Sequence, residues 1–471
     1  MDTSKFSSEI HIFKRVAIVV MIFFIMTLLH YSTLINESDP AVFSITLLGF
    51  MLILSFNLGK ILSRLKLPKL TIYILTGILC GPYVTGFVSQ DVVNNLKFVD
   101  NLALSMIAFI AGGEMRFGEL KKMSKLLIGI SFYETLYVLL FTAIAFFLLH
   151  PFISFTAGQT WLFVGIVSLL MGSMLIANSP AVTIGIIGEY HSKGHLTDTV
   201  LGTVVLKDIV VIIVFALVAS FASTQLLPDA TFSPIPFISK LGYEIVGSIG
   251  LGLAIGLLVW LYMRFIMEQT VLFIVGIAFA SYELAHYFHL EVLLVGVTAG
   301  FYVQNFTKQG QKLISNIEES LPVIYPIFFS IAGAKLNLMA LQSMWFIALV
   351  LVAVRMLGIY MGVKAGSRSD GATKEVRQYA WMGLVSQAGV ALGLAVVVER
   401  TYPEWGGVLQ TIVISVIGIN QLIGPVLLKY ALEKAGDLHA TSKMAETLIR
   451  LKIGEDSEQE TGIVATETRN G

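Results

Sequence analysis

The chain has 471 residues, of which 56% are hydrophobic and 13% charged, about half the charged share of a soluble domain. Its one cysteine, Cys80, excludes an internal disulfide framework and a Cys-ligated cluster. The net charge is zero and no stretch is strongly basic, so no nucleic-acid partner is indicated.

What remains is an all-α polytopic membrane protein. Apolar runs recur from Lys14 to about Lys434 with no soluble domain between them, and a crossing helix needs about 20 such residues. The first run, Val16 to about Leu29, follows Lys5, Lys14 and Arg15 as a signal sequence does. His30, Tyr31 and Ser32 come next, with no small-residue cleavage site. A retained signal-anchor helix within 1–41 is therefore expected. Counting this one, at 13–35, fourteen segments are read, giving about 13–14 transmembrane helices. The others lie near 42–62, 69–88, 98–116, 124–149, 160–189, 196–224, 237–267, 269–288, 290–305, 313–335, 342–365, 375–400 and 406–434. The tail, 435–471, is polar and expected to be disordered.

Positive charge orients the chain. With the N-terminus in the cytosol, the outer loops hold only Lys97, Lys240, Lys335 and Arg400. Lys207 and Arg355 fall within the membrane, and every other lysine and arginine lies on the cytosolic side. Both termini are thus expected in the cytosol.

Two segments carry polar residues at depth. The sixth reads Ser173-Met-Leu-Ile-Ala-Asn-Ser-Pro-Ala-Val182, and the thirteenth Gly383-Leu-Val-Ser-Gln-Ala-Gly-Val-Ala-Leu-Gly393. Proline removes an amide donor and glycine lowers helix stability. Interrupted helices at matching positions point to a transporter built from inverted repeats. The membrane domain is read as 42–434, with repeats at about 42–224 and 269–434 and a linker helix at 237–267. The interrupted helix is fifth in each repeat.

Buried charge costs at least about 2.5–3.5 kcal/mol per group at the bilayer centre. The ionisable residues near span centres are Glu134, Lys207, Asp208 and Arg355. A lone carboxylate in a partly hydrated cavity takes either a proton or a small cation, each displacing the other. Asp208, in Val204-Val-Leu-Lys-Asp-Ile-Val-Val211, is the first candidate for that exchange. The plainer alternative is an ion pair that holds helices together. Lys207 is open to three readings: pairing with another carboxylate, leaving when substrate arrives, or snorkelling as a structural lysine. Glu134 and Arg355 lie on the fourth helices of the two repeats, and a structural Glu134–Arg355 bridge is expected. Asn178, Ser179, Ser386 and Gln387 sit at the interruptions, where side chains and freed carbonyls can complete a cation site. Asn420 and Gln421 occupy the position symmetric to Lys207–Asp208. His191 and His195, in the loop after the sixth segment, offer a pH-sensing role but are read as solvated. No phosphate-binding loop and no His-Glu-x-x-His occur, so an ATP-driven pump and a zinc protease find no support.

Six stretches in order resemble the cation:proton antiporter superfamily, in the branch of bacterial sodium/proton exchangers and potassium efflux systems. They are Leu67-Pro-Lys-Leu-Thr-Ile-Tyr-Ile-Leu-Thr-Gly-Ile-Leu-Cys-Gly-Pro82, Phe109-Ile-Ala-Gly-Gly-Glu-Met-Arg-Phe-Gly-Glu-Leu120, Asn178-Ser-Pro-Ala-Val182, Lys207-Asp208, Phe328-Phe-Ser-Ile-Ala-Gly-Ala-Lys-Leu336 and the stretch from Gly383. The resemblance implies a homodimer in which a core domain moves past a dimerisation domain. It implies Asp208 as the shared site of a monovalent cation and a proton, and a membrane Glu–Arg pair. The family usually carries Asp-Asp, Asn-Asp or Gln-Asp where this chain has Lys207-Asp208. The expected function is a monovalent cation:proton antiporter of a bacterial inner membrane, with sodium or lithium favoured over potassium and no enzyme activity. The alternatives are a non-coupled cation channel and a solute uptake carrier.

Overall fold

The computed structural model describes residues 3–31, 40–62, 67–226, 234–266, 270–308, 310–318, 320–368, 371–387 and 389–438. The tail from 439, with its expected disorder, lies outside them. Among the described residues the regular elements are helices. They are α1 (Thr3–Tyr31), α2 (Pro40–Leu62), α3 (Lys69–Cys80), α4 (Gln90–Asn95), α5 (Lys97–Glu114), α6 (Phe117–Leu149), α7 (Trp161–Leu175), α8 (Pro180–Tyr190) and α9 (His195–Leu226). After these come α10 (Pro234–Phe265), α11 (Thr270–Tyr287), α12 (Val292–Phe306), α13 (Gly310–Glu318), α14 (Leu321–Ala334), α15 (Leu338–Gly366), α16 (Lys374–Gly383), α17 (Gly389–Thr401) and α18 (Gly406–Ala435).

Each apolar segment finds its helix. The sixth and thirteenth are each divided, into α7 with α8 and into α16 with α17. The eleventh also divides: an amphipathic α13 precedes α14, and the hydrophobic run alone did not reveal that break. Seven described stretches, among them Leu120–Phe152, His195–Leu226 and Leu338–Gly366, are long and apolar enough to cross a membrane. Their outer faces confirm the solvent. Ile128, Phe132, Leu136, Leu140, Ile144 and Leu148 recur every fourth residue on α6 and are all exposed, an apolar stripe suited to acyl chains. The chain is an integral membrane protein.

The helices sort into two bundles by what they pack against. In one, α6, α7, α8, α9, α15, α16, α17 and α18 pack on one another. In the other, α2, α3, α5, α10, α11, α12 and α14 do so, with α10 against α12, α5 against α12 and α3 against α14 as its main contacts. The bundles meet where α9 touches α10, α18 touches α3 and α8 touches α5. Across that boundary the Glu189 carboxylate accepts hydrogen bonds from the backbone amides of Lys69 (2.8 Å) and Leu70 (3.1 Å), capping α3.

The central contact of the first bundle is α6 on α15, and its cause is a glycine stripe. Gly358, Gly362 and Gly366 lie four residues apart on one face of α15. A Cβ at Gly362 or Gly366 would overlap Glu134 or Gly129 of α6, and one at Gly358 would crowd Val138. Small residues at this spacing let helix backbones approach closely in a membrane. That approach fixes Glu134 in the interior.

Candidate functional site

The two interruptions meet at one point. Helix α7 ends at Leu175, the chain runs extended through Ser179, and Pro180 opens α8. Proline is suited to a first helical turn because its missing amide would be unpaired there. The Ser179 hydroxyl caps α8 by accepting from the Val182 amide. Opposite it, α16 ends at Gly383 and α17 starts at Gly389. The Ser179 amide donates to the Ser386 carbonyl at 2.8 Å, so the interruptions bond directly to each other. Inverted repeats with crossing interrupted helices are therefore present, as the sequence suggested.

Arg355 of α15 is fully buried beside this crossing. Its Nε donates to the Leu175 carbonyl (2.8 Å), one terminal nitrogen to Val385 (2.7 Å), and the other to the Ala177 carbonyl (2.9 Å) and Asn178 Oδ1 (3.1 Å). These carbonyls end the half-helices α7 and α16, where the helix dipole is negative. Gln387 adds to the knot. Its Nε2 donates to Leu175 (3.2 Å), and its Oε1 accepts from Asn420 Nδ2 (2.8 Å). Carbonyls at the interruptions thus already accept from the protein's own donors, Arg355 and Gln387. Asn178, Ser179, Ser386 and Gln387 are brought together here as parts of the crossing.

The expected Glu134–Arg355 bridge is not formed. Glu134 is bonded instead to the Lys207 ammonium, both side chains being fully buried. Lys207 also donates to the Ile176 carbonyl, 3.0 Å away at the end of α7. The reason is registry. Glu134 packs against Gly362, seven residues beyond Arg355, which is about 10 Å along α15. Arg355 is thus offset along α15 from the contact with Glu134, and Lys207 of α9 reaches Glu134 instead.

Asp208, the next residue, faces elsewhere. It is half-buried and lines a cavity of 70 Å³ between the two bundles. The walls include Val205, Ile209 and Ile212 of α9, Leu293 and Val297 of α12, and Val390 of α17. Two further carboxylates, Glu244 of α10 and Glu291 before α12, line the same space. The Glu291 amide donates to Ser248 Oγ at 2.9 Å, tying it to α10. Sequence reasoning passed over both, because they stand toward the ends of their segments. The signal was present in Glu244, an unexplained acid inside an apolar run.

A larger cavity of 790 Å³ opens around the start of α9, lined by Glu114, Arg116, Lys122, His195, Asp198 and Leu201 among others. Leu201 is seven residues from Asp208, about 10 Å along the helix. Beside it, residues after α18 clasp the first turn of α9. The Asp437 carboxylate accepts from the Thr197 amide and hydroxyl, each at 2.8 Å, and its carbonyl accepts from the Lys193 amide at 3.1 Å. Burial pushes the Asp437 carboxyl above its ordinary value, outweighing these hydrogen bonds and the nearby His195.

With this geometry, the likeness to known proteins is specific in fold and broad in coverage. The family model for the transmembrane sodium/hydrogen exchanger matches residues 49–434. A Na⁺/H⁺ antiporter of Enterococcus hirae is 23% identical over 403 residues, spanning 82% of this chain and 97% of that one. A probable Na⁺/H⁺ antiporter of Bacillus cereus, GerT, is 23% identical over 352 residues, spanning 72% and 86%. Among solved structures, the sodium proton antiporter of Methanocaldococcus jannaschii at pH 8 superposes with a TM-score of 0.61 at 17% identity, over 85% of this chain and all of that one. A match over most of the chain, an inverted-repeat helical fold and a crossing of interrupted helices agree, and the chain belongs to the sodium/hydrogen exchanger family of the cation:proton antiporter superfamily.

Proposed function

We propose that this protein exchanges a monovalent cation for protons across a bacterial inner membrane, with sodium or lithium favoured over potassium and Asp208 carrying each in turn. The observation that carries the reading is the placement of Asp208. It is half-buried, lines a small cavity between two separately packed bundles, and stands on a helix held at the crossing by its neighbour Lys207. A carboxylate so placed accepts a proton or a desolvated cation but not both, which is the competition that exchange needs. The relatives named as Na⁺/H⁺ antiporters support the cation and the counter-ion.

In this reading, the bundle of α6–α9 and α15–α18 travels as the core and presents Asp208 alternately to the two sides. The other bundle is the dimerisation scaffold of a homodimer. The orientation with both termini in the cytosol puts the 790 Å³ cavity on the cytosolic side, where Glu114 and Asp198 line the approach. The passage from Asp208 to that cavity runs along α9 toward Leu201, and the passage to the other side runs past Glu244 and Glu291.

The test is proteoliposomes containing the purified protein, given a pH gradient as the one driving force. Accumulation of ²²Na⁺ against its own gradient is the expected result, with Li⁺ competing better than K⁺. Cation flux that only follows its own gradient would assign a channel instead. Dependence on an organic solute would assign an uptake carrier.

A further inference from the structure

A further cavity, of 200 Å³, lies where α8 ends, beside the 790 Å³ one: His191 lines the former and Ser192 the latter. Its walls come from both bundles. Helix α8 contributes Gly188 and Glu189, and the opposite side is built from Phe56 and Lys60 of α2, Lys69 of α3 and Leu321 of α14. The exchange at Asp208 makes no use of this space.

The rim is basic. Lys60, Lys69 and His191 are all exposed. His191 closes α8 in the left-handed backbone region, at φ 46°, which residues other than glycine adopt uncommonly. The one carboxylate among the described lining residues, Glu189, accepts from the Lys69 and Leu70 amides and is thereby turned to the start of α3. Two ammonium groups against one carboxylate leave the space net positive.

The same cavity adjoins the apolar outer surface. Val42, Ile45, Ile53 and Phe56 form an exposed stripe along α2 at the spacing of one helix face. Lys60, four residues past Phe56, continues that face. Its ammonium lies 4.3 Å from the centre of the Phe56 ring, so the charge stands where the apolar stripe ends.

We infer that this cavity binds the headgroup of an anionic phospholipid, with the phosphodiester between Lys60 and Lys69 and the acyl chains along the α2 stripe, and that the bound lipid bridges the two bundles. A solvated anion would use the basic rim but not the stripe. A lipid without net charge would use the stripe but gain little from the rim. An anionic phospholipid uses both. In the proposed orientation the site faces the cytosolic leaflet, where basic groups attract anionic lipids. Because its walls belong to both bundles, the lipid favours the arrangement in which α8 stands against α3. The inference does not depend on Asp208 or on the transported ion.

The experiment is native mass spectrometry of the purified full chain titrated with phosphatidylglycerol, phosphatidylethanolamine or soluble glycerol phosphate. The wild type is expected to hold phosphatidylglycerol about tenfold more tightly than phosphatidylethanolamine, and glycerol phosphate at equal concentration is expected not to displace it. Each lysine near an anionic headgroup contributes about fivefold, so Lys60→Gln/Lys69→Gln is expected to weaken binding about 25-fold. Lys121→Gln/Lys125→Gln, at exposed positions of α6, is expected to change it by about twofold at most. Equal losses in the two double variants overturn the site, and equal retention of phosphatidylethanolamine overturns recognition by charge. Displacement by glycerol phosphate overturns the lipid in favour of a soluble anion. Thermal unfolding tests the bridging: phosphatidylglycerol is expected to raise the Tm of the wild type and not that of Lys60→Gln/Lys69→Gln, and an equal rise in both overturns it. Absence of exchange in proteoliposomes would sink the reading of Asp208 and leave this binding untouched.

Discussion

Lys207 on α9 donates to the carboxylate of Glu134 on α6 at a point where neither side chain has any exposure. A buried pair gives little net stability, but removing one partner strands the other charge and costs about 3–5 kcal/mol. Lys207→Gln and Glu134→Gln alone are each expected to lower thermal stability in detergent by more than the double variant does. Single and double losses that simply add would contradict the pairing.

Arg355 acts through shape as well as charge. Its planar fork reaches carbonyls on both sides of the crossing at once, and a lysine has neither the fork nor the number of donors. Arg355→Lys is expected to destabilise the protein by about 2 kcal/mol or more, since buried carbonyls of both half-helices lose their donors. Thermal unfolding checks it, and a variant as stable as the wild type would remove the knot from the account.

The α15 glycine stripe should be intolerant at its middle. A Cβ at Gly362 would overlap the Glu134 backbone. Overpacking of this kind costs about 1–3 kcal/mol, and here it also displaces the partner of Lys207. Gly362→Val is expected to lose both stability and transport, whereas Gly118→Ala, where a Cβ would meet nothing within 4 Å, serves as the neutral comparison. Equal behaviour of the two would argue against close α6–α15 contact.

Asp437 gives a pH signature at the start of α9. Burial raises its folded-state carboxyl pKa above the ordinary 3.8, so the folded chain binds that proton more tightly than the unfolded one. Its contribution to stability is full below the ordinary value and is lost as pH rises through the raised one. Asp437→Asn is expected to flatten the mildly acidic part of the curve of Tm against pH. An unchanged slope would place the titrating group elsewhere.

Much of this was legible in the sequence because a membrane imposes simple rules. Apolar runs marked the helices, Pro180 and the stretch from Gly383 marked the two interruptions, and the rarity of buried charge singled out Glu134, Lys207, Asp208 and Arg355. Pairing was not legible. It depends on rotation and registry between α6, α9 and α15, and the seven-residue offset between Arg355 and Gly362 has no meaning until those helices are packed. The same holds for Glu244 and Glu291, which are unremarkable near helix ends until α10 and α12 bring them to the cavity of Asp208. Nor were the partners of Asn178 and Gln387 legible: Arg355 donates to the one and Asn420 to the other at the crossing.

The central claim is that Asp208 carries cation and proton in turn, and the most direct measurement is cation-dependent proton flux through Asp208→Asn in proteoliposomes, with folding verified by its thermal unfolding profile. The account predicts a folded protein with no Na⁺- or Li⁺-dependent flux at any pH. Flux at the wild-type level in that variant would contradict it.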